Sequence, residues 1–118
     1  MASLRSPQAK KAYHDHTVTV LPGDPCELCE KTSLKTFTHW RIVQNQYPYD
    51  LIAETHHMLI PIRHITEDEI TAEESKELLE IKNNSIGDYN WIIESAHTNK
   101  SIPSHFHLHL IVGKAEPG

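Results

Sequence analysis

His105-Phe106-His107-Leu108-His109-Leu110-Ile111 is the stretch whose reading decides the fold. In an extended strand successive side chains point to opposite faces, so this alternation sets three imidazoles on one face and Phe106, Leu108 and Leu110 on the other. The apolar face belongs to the core. A row of imidazoles facing a cleft can carry phosphate chemistry or bind metal, because each ring has one nitrogen that can attack or ligate and another that a neighbour can hold. The plainer reading is an amphipathic strand with histidines as ordinary polar residues. It accounts poorly for three histidines in strict alternation in a chain that has no low-complexity repeat.

Outward from that strand, the 118 residues bound the answer to one domain with one core. An apolar fraction of 38% and a charged fraction of 23% describe a soluble globular chain. No window has the length and apolarity of a membrane span, and the opening residues carry scattered basic groups with no apolar run behind them, so a cytoplasmic protein without membrane association is expected. A net charge of −5 argues against broad attraction to a nucleic-acid polymer, while leaving room for a local basic patch that holds a small anionic ligand such as a nucleotide. The ten histidines gain charge between about pH 7 and pH 5, which makes ligand affinity pH-dependent in that range.

The two cysteines stand as Cys26-Glu27-Leu28-Cys29. In a cytosolic chain such a pair is either redox-active or half of a zinc site. The redox version needs a helix start following a strand. Here the pair follows Leu21-Pro22-Gly23-Asp24-Pro25, a turn-rich stretch, which favours zinc. Two thiolates do not fill a tetrahedral site, so two more ligands are required.

Residues 1–12 read as a flexible polar arm, 13–114 as the domain and 115–118 as a short tail. Thr17 to Val20 has the composition of a short strand, and His14 and His16 default to the surface. Thr36 to Gln44 reads as a strand and Ile52 to Ile60 as a second, stopped by Pro61, the two forming an antiparallel hairpin. The acidic stretch after Thr66 holds the principal helix. Thr71 and Glu74 form its capping box, Ala72, Ser75, Leu78 and Leu79 share one face, and Gly87 is the candidate left-handed cap. Tyr89 to Glu94 and the histidine strand make a second antiparallel pair. The expected class is α+β: about five mostly antiparallel strands with one principal helix packed on a face.

The histidine strand resembles the signature of the histidine-triad (HIT) superfamily, His-φ-His-φ-His-φ-φ, at every position. A separate stretch resembles the same family: Asn45-Gln46-Tyr47-Pro48-Tyr49, followed by His56-His57-Met58-Leu59-Ile60-Pro61-Ile62-Arg63-His64. The cysteine pair is shared with its zinc-containing members. Together these features span about residues 26 to 112.

The resemblance implies a HIT-like fold and a nucleotide hydrolase or nucleotidyl transferase acting at an α-phosphate. In the family the middle histidine is the nucleophile, which assigns to His107 a covalent nucleotidyl-imidazole intermediate. His109, in third place, would contact the phosphate or leaving oxygen and donate a proton when charged. Some transferase and phosphorylase branches carry Gln there, so this chain is more similar to the hydrolases. Asn45 takes the place of the residue that holds the ribose hydroxyls, with Phe37, Trp40 or Ile42 offered to the base. The zinc ligands would be Cys26, Cys29, His64 and His105, a closed set for one structural Zn2+ per chain. Many members are homodimers, which is the expectation here.

The chain departs from the family just before the triad, where a Gly-rich loop and polar pair usually hold the phosphate. Asn99-Lys100-Ser101-Ile102-Pro103-Ser104 stands there instead, and Ser101 and Ser104 are the candidate replacements. That departure motivates an alternative of another class, a nucleotide-binding or regulatory module with weak or no turnover. The histidine count motivates a third, a protein that handles transition metals.

Overall fold

The computed structural model describes residues 4–17, 26–94, 96 and 105–114. Its strands are β1 (Ser33–Thr36), β2 (Trp40–Gln44), β3 (Ala53–Pro61), β4 (Trp91–Ile93) and β5 (Leu108–Gly113). They form one antiparallel sheet in the order β1-β2-β3-β5-β4. Helices α1 (Pro7–Thr17), α2 (Glu27–Glu30) and α3 (Ala72–Asn84) accompany it, with a 3-10 turn at Glu67–Glu69 before α3.

The expected hairpin of β2 and β3 forms, paired from Trp40 opposite Pro61 to Gln44 opposite His57. What reads in sequence as one strand from Thr36 to Gln44 is divided: the chain turns between β1 and β2, where the Phe37 N–H donates to the Trp40 carbonyl at 2.7 Å. β5 begins at Leu108, so His105, Phe106 and His107 lead into the strand and His109 lies within it.

Register sorts the side chains between the two faces of the sheet. Ile42 lies opposite Leu59, which lies opposite Leu108. With Trp40, Leu110, Phe106, Ile81 and Ile86 these residues build the main core, under α3. On the other face Val43 lies opposite Met58, which lies opposite His109. Leu28 packs there against Val43, Met58 and Ile60. Trp40 and Ile42, offered to a nucleotide base on sequence grounds, therefore sit on the face away from His109. The Trp40 indole N–H donates to the Glu74 carbonyl at 2.8 Å, which ties β2 to α3.

The capping box at the start of α3 is present, the Thr71 hydroxyl accepting from the Glu74 N–H and the Glu74 carboxylate from the Thr71 N–H. The face turned inward differs from the expected one. Glu74 and Ile81 are buried and Leu78 half-buried, whereas Ala72, Ser75 and Leu79 are exposed, Leu79 at 60%. Glu74, Leu78 and Ile81 are spaced as a helical stripe, disguised in sequence because one member is a carboxylate. Arg63 makes that burial tolerable: its Nε and Nη2 donate to the two carboxylate oxygens at 3.1 and 2.7 Å. The helix ends at Ser85, whose N–H donates to the Ile81 carbonyl, and Gly87 does not adopt the left-handed conformation assigned to it.

The N-terminal region is also different from its sequence reading. Residues 7–17 form α1 where a polar arm and the first residue of a short strand were expected; residues 18–20 lie outside those described. Ser6 caps α1, its hydroxyl accepting from the Ala9 N–H at 3.2 Å, and Pro7 suits the first helical position. Ser6 is in turn pinned to Asp50 through its N–H (2.6 Å) and hydroxyl (2.5 Å). His16 is half-buried, stacked on Tyr47 and bonded to Glu27.

The Arg63 guanidinium, with the Thr71 N–H and hydroxyl, holds the Glu74 carboxyl at about 2, below its ordinary 4.5. The stabilisation is fully present above about pH 4.5 and is lost as the pH falls toward 2, with a magnitude of about 2 kcal/mol. Glu74→Gln should remove that part of the acid dependence. Denaturant unfolding from pH 2 to 6 should give a flatter stability curve for the variant and a deficit at pH 6; identical slopes would remove the ion pair from this role.

Candidate active site and metal centre

Cys26, Cys29, His64 and His105 converge, each offering a ligand atom within 4.8 Å of the others. The Cys26 and Cys29 sulfurs lie 3.5 and 3.4 Å from His105 Nδ1, and Cys29 Sγ lies 3.4 Å from His64 Nδ1. A tetrahedral ion with ordinary Zn–S and Zn–N bond lengths separates such ligands by about 3.6 Å, so the residues fit a Cys2His2 ion. The four ligands expected from sequence are the four brought together. In the absence of a cation, burial and the adjoining Cys26 push the Cys29 thiol up to about 11, a barrier that a bound cation would relieve by favouring thiolate.

Sequence alone did not show what builds this corner. Leu28 is fully buried and anchors α2 against β2 and β3. Arg41, on β2, donates to the carbonyls of Leu28 and Lys31, both at 2.5 Å, and of Cys29 at 3.3 Å. One guanidinium thus satisfies the carbonyl end of the short helix that carries the cysteines. His64 follows Arg63, whose pairing with Glu74 fixes this segment to α3.

The histidines are ordered by partners with only one hydrogen-bonding option. The Pro61 carbonyl can only accept, so at 3.0 Å it places the His105 proton on Nε2 and the lone pair on Nδ1, facing the sulfurs. The His105 carbonyl lies 3.0 Å from His107 Nδ1, which places that proton on Nδ1 and the lone pair of His107 on Nε2. The Tyr49 N–H can only donate, and at 2.9 Å it fixes the lone pair of His56 on Nδ1. His56 Nε2–H then donates to His109 Nδ1 at 2.7 Å, and His109 Nε2–H donates to the Tyr49 hydroxyl at 3.1 Å.

Burial is the main cause that lowers His56 and His109 to about 3 each. Arg5 adds to both shifts, and neighbouring histidines contribute further. Both rings are therefore neutral at physiological pH. The one N–H of His109 is that of a neutral ring and is donated to the Tyr49 hydroxyl. The His107 and His109 rings stand edge to face, 5.1 Å apart.

Asn45 is buried beside this chain. Its Oδ1 accepts from the Tyr47 N–H at 2.7 Å, which orients the amide, and its Nδ2 lies 3.2 Å from His56 Nε2. Because His56 Nε2 carries a proton, two donors meet there, and the Asn45 N–H is left to an incoming acceptor. Asn45, His107 and His109 line one cavity of about 30 Å³ together with Arg5, Tyr13, Lys31 and others. Ser101 and Ser104 lie outside the described residues. His56 and Tyr49 were legible only in part: β3 alternation puts His56 on the same face as Met58, but its bond to His109 depends on strand register.

With this geometry in place, comparison with solved structures is informative. Over 79% of this chain and 94% of the other, the fold matches a histidine triad protein from Clostridium difficile, with a TM-score of 0.53 and 16% identity. A HIT family hydrolase from Legionella pneumophila Philadelphia 1 matches over 77% and 95%, with a TM-score of 0.53 and 18% identity. One from Clostridium thermocellum matches over 84% and 96%, with 0.53 and 19%. No family model and no curated protein matches the chain. The chain has the fold of the histidine-triad proteins, a five-stranded antiparallel sheet with helices. No helix among the described residues is long and apolar enough to cross a membrane.

Replacing Cys29 with Ser should reduce affinity for a divalent metal by more than about 100-fold and lower the thermal unfolding midpoint. Metal analysis after dialysis and a melting curve with and without chelator measure both. Unchanged metal content in the variant would exclude Cys29 as a ligand.

Proposed function

We propose that the chain is a nucleotide hydrolase, with nucleotidyl transfer as the related activity, reacting at an α-phosphate through His107. The observation that carries this reading is the bond between His107 Nδ1 and the His105 carbonyl, because it leaves the reactive lone pair on Nε2 of a ring lining the cavity. Attack by Nε2 forms an N–P bond as the bond from phosphorus to the leaving group breaks. The ring becomes cationic, and the carbonyl that accepts from Nδ1–H steadies it. Water then attacks the phosphorus and gives up one proton to solvent as the N–P bond breaks, the departed leaving group having taken its proton from solvent, and His107 returns to its neutral form.

His109 lines the same cavity with its one N–H on the Tyr49 hydroxyl, so its role toward phosphate or leaving oxygen requires that hydrogen bond to be exchanged for one to the ligand. Asn45, its amide oriented by the Tyr47 N–H and its Nδ2 beside His56 in the lining of the cavity, is suited to a ribose hydroxyl. Ser101 and Ser104 remain assigned to the phosphate on sequence grounds. Zn2+ is the ion that suits two thiolates and two imidazoles, and a closed set of four gives it a structural role. The names of the neighbouring hydrolases agree with the reaction class. A homodimer agrees with β4, an edge strand on which Trp91 is 50% and Ile92 40% exposed.

The departure at Asn99 to Ser104, where the usual phosphate-holding loop is replaced, motivates the alternative of a nucleotide-binding module with weak or no turnover. Turnover separates the two. Incubated with a nucleoside phosphoramidate or dinucleoside polyphosphate, the protein should release nucleoside monophosphate. His107→Ala should reduce the rate by at least about 1,000-fold while retaining metal and fold. A fully active His107→Ala variant excludes the mechanism, and binding without turnover across the panel favours the module.

A further inference from the structure

We propose that Arg5 is the anion-holding residue of this site, its guanidinium, set between the rings of Tyr13 and Tyr49, lining the cavity shared by His107 and His109 and taking the phosphoryl oxygens of the ligand. The proposal rests on the reading of that cavity as a phosphate site and adds a residue that sequence analysis assigned to a polar arm.

A phosphate ligand brings negative charge, and the described histidines beside the cavity do little to balance it. His109 and its neighbour His56 are held neutral by burial, and their hydrogen bonds run along the chain from the Tyr49 N–H to the Tyr49 hydroxyl. The cavity lining does contain two cations, Arg5 and Lys31, and one carboxylate, Glu27, which His16 engages. Of the two cations, Arg5 is the one set firmly in place. Its guanidinium carbon lies 4.3 Å from the centre of the Tyr13 ring and 4.8 Å from that of Tyr49. Its Nε donates to the Tyr47 carbonyl at 2.9 Å.

The backbone on either side is fixed as well. The Leu51 N–H donates to the Leu4 carbonyl at 3.2 Å, and Ser6 is bonded twice to Asp50. A cation ordered before the ligand arrives loses little freedom on binding it, and the planar fork of Arg suits phosphoryl oxygens in pairs. Tyr49 links this group to the chemistry, since its ring supports Arg5 while its hydroxyl accepts from His109. The cavity has the scale of a few waters, which suits a single tetrahedral anion. The phosphoryl group is therefore the part of the ligand that belongs between Arg5 and His107, with any nucleoside directed outward past Tyr13.

Calorimetric titration of the full, metal-loaded chain with inorganic pyrophosphate, adenosine monophosphate and adenosine tests this. Arg5→Gln should weaken both anions by about tenfold or more and leave adenosine within twofold of the wild type. Equal loss for all three would mean that Arg5 only supports the fold and would overturn the proposal, as would unchanged anion affinity or a wild-type chain that binds neither anion. Should Arg5→Gln fail to fold, the wild-type chain still decides: the NMR resonance of the Arg5 Nε–H should move on addition of pyrophosphate, and a resonance that stays put overturns the assignment. Turnover is scored separately. Anion binding through Arg5 without hydrolysis refutes the hydrolase and leaves the anion site standing, whereas hydrolysis that is indifferent to Arg5 does the reverse.

Discussion

A neutral imidazole has one N–H and one lone pair, and the structure depends on which nitrogen carries which. Four buried histidines are resolved by groups that allow no choice. Two carbonyls, of Pro61 and His105, draw the protons of His105 and His107 onto opposite ring positions, Nε2 in the first and Nδ1 in the second. A backbone N–H at Tyr49 sets His56, and His56 sets His109. Three of these constraints are main-chain groups, and the fourth, on His109, follows from the ring of His56. Rings of one residue type thereby acquire different chemistry: a lone pair toward sulfur on His105, a lone pair at Nε2 on His107, and on His109 an N–H held by the Tyr49 hydroxyl.

His105 joins the Cys2His2 cluster to His107. Its side chain faces the cysteines, and its carbonyl accepts from His107. A displaced His105 would disturb the proton on its neighbour through two covalent steps of backbone. The supports of the Cys2His2 corner are therefore also supports of the His107 ring. Arg41 closes the carbonyl end of α2, and the Arg63–Glu74 pair holds the segment before His64 against α3. The buried charge of Glu74 is tolerable only with both Arg63 and the Thr71 cap in place.

Much of this was legible in the sequence because it is written in short-range pattern. Alternation at residues 105–111 identified the core face of Phe106, Leu108 and Leu110, and the Cys-x-x-Cys pair, with His64 and His105 added by the family resemblance, named the four residues that come together in a cluster able to hold a metal ion. Failures occurred where a long-range partner overrides local character. Glu74 reads as a solvated carboxylate until Arg63 is found beside it. Trp40 and Ile42 could not be given a face until β2 was cut back and its register with β3 known. Residues 7–17 have no apolar stripe, and α1 owes its place to Ser6 with Asp50 and to aromatic contacts with Tyr47, none of which has a sequence period. Ser6-Pro7 was the available signal, an N-cap followed by the residue that suits the first helical turn.

A site made of neutral imidazoles has to exclude protons as well as water. Burial does this for His56 and His109, which stay neutral down to about pH 3, and the same burial makes an unmatched ring nitrogen costly. The two requirements reinforce each other. A proton added to His56 would have to enter at Nδ1, where the Tyr49 N–H already points, and one added to His109 at Nδ1, where His56 Nε2–H already donates. Each added charge would break a bond that orients the next ring, so the chain is favoured as a whole in one protonation state. Its hydrogen-bond pattern is then insensitive to pH across the range in which free histidines titrate.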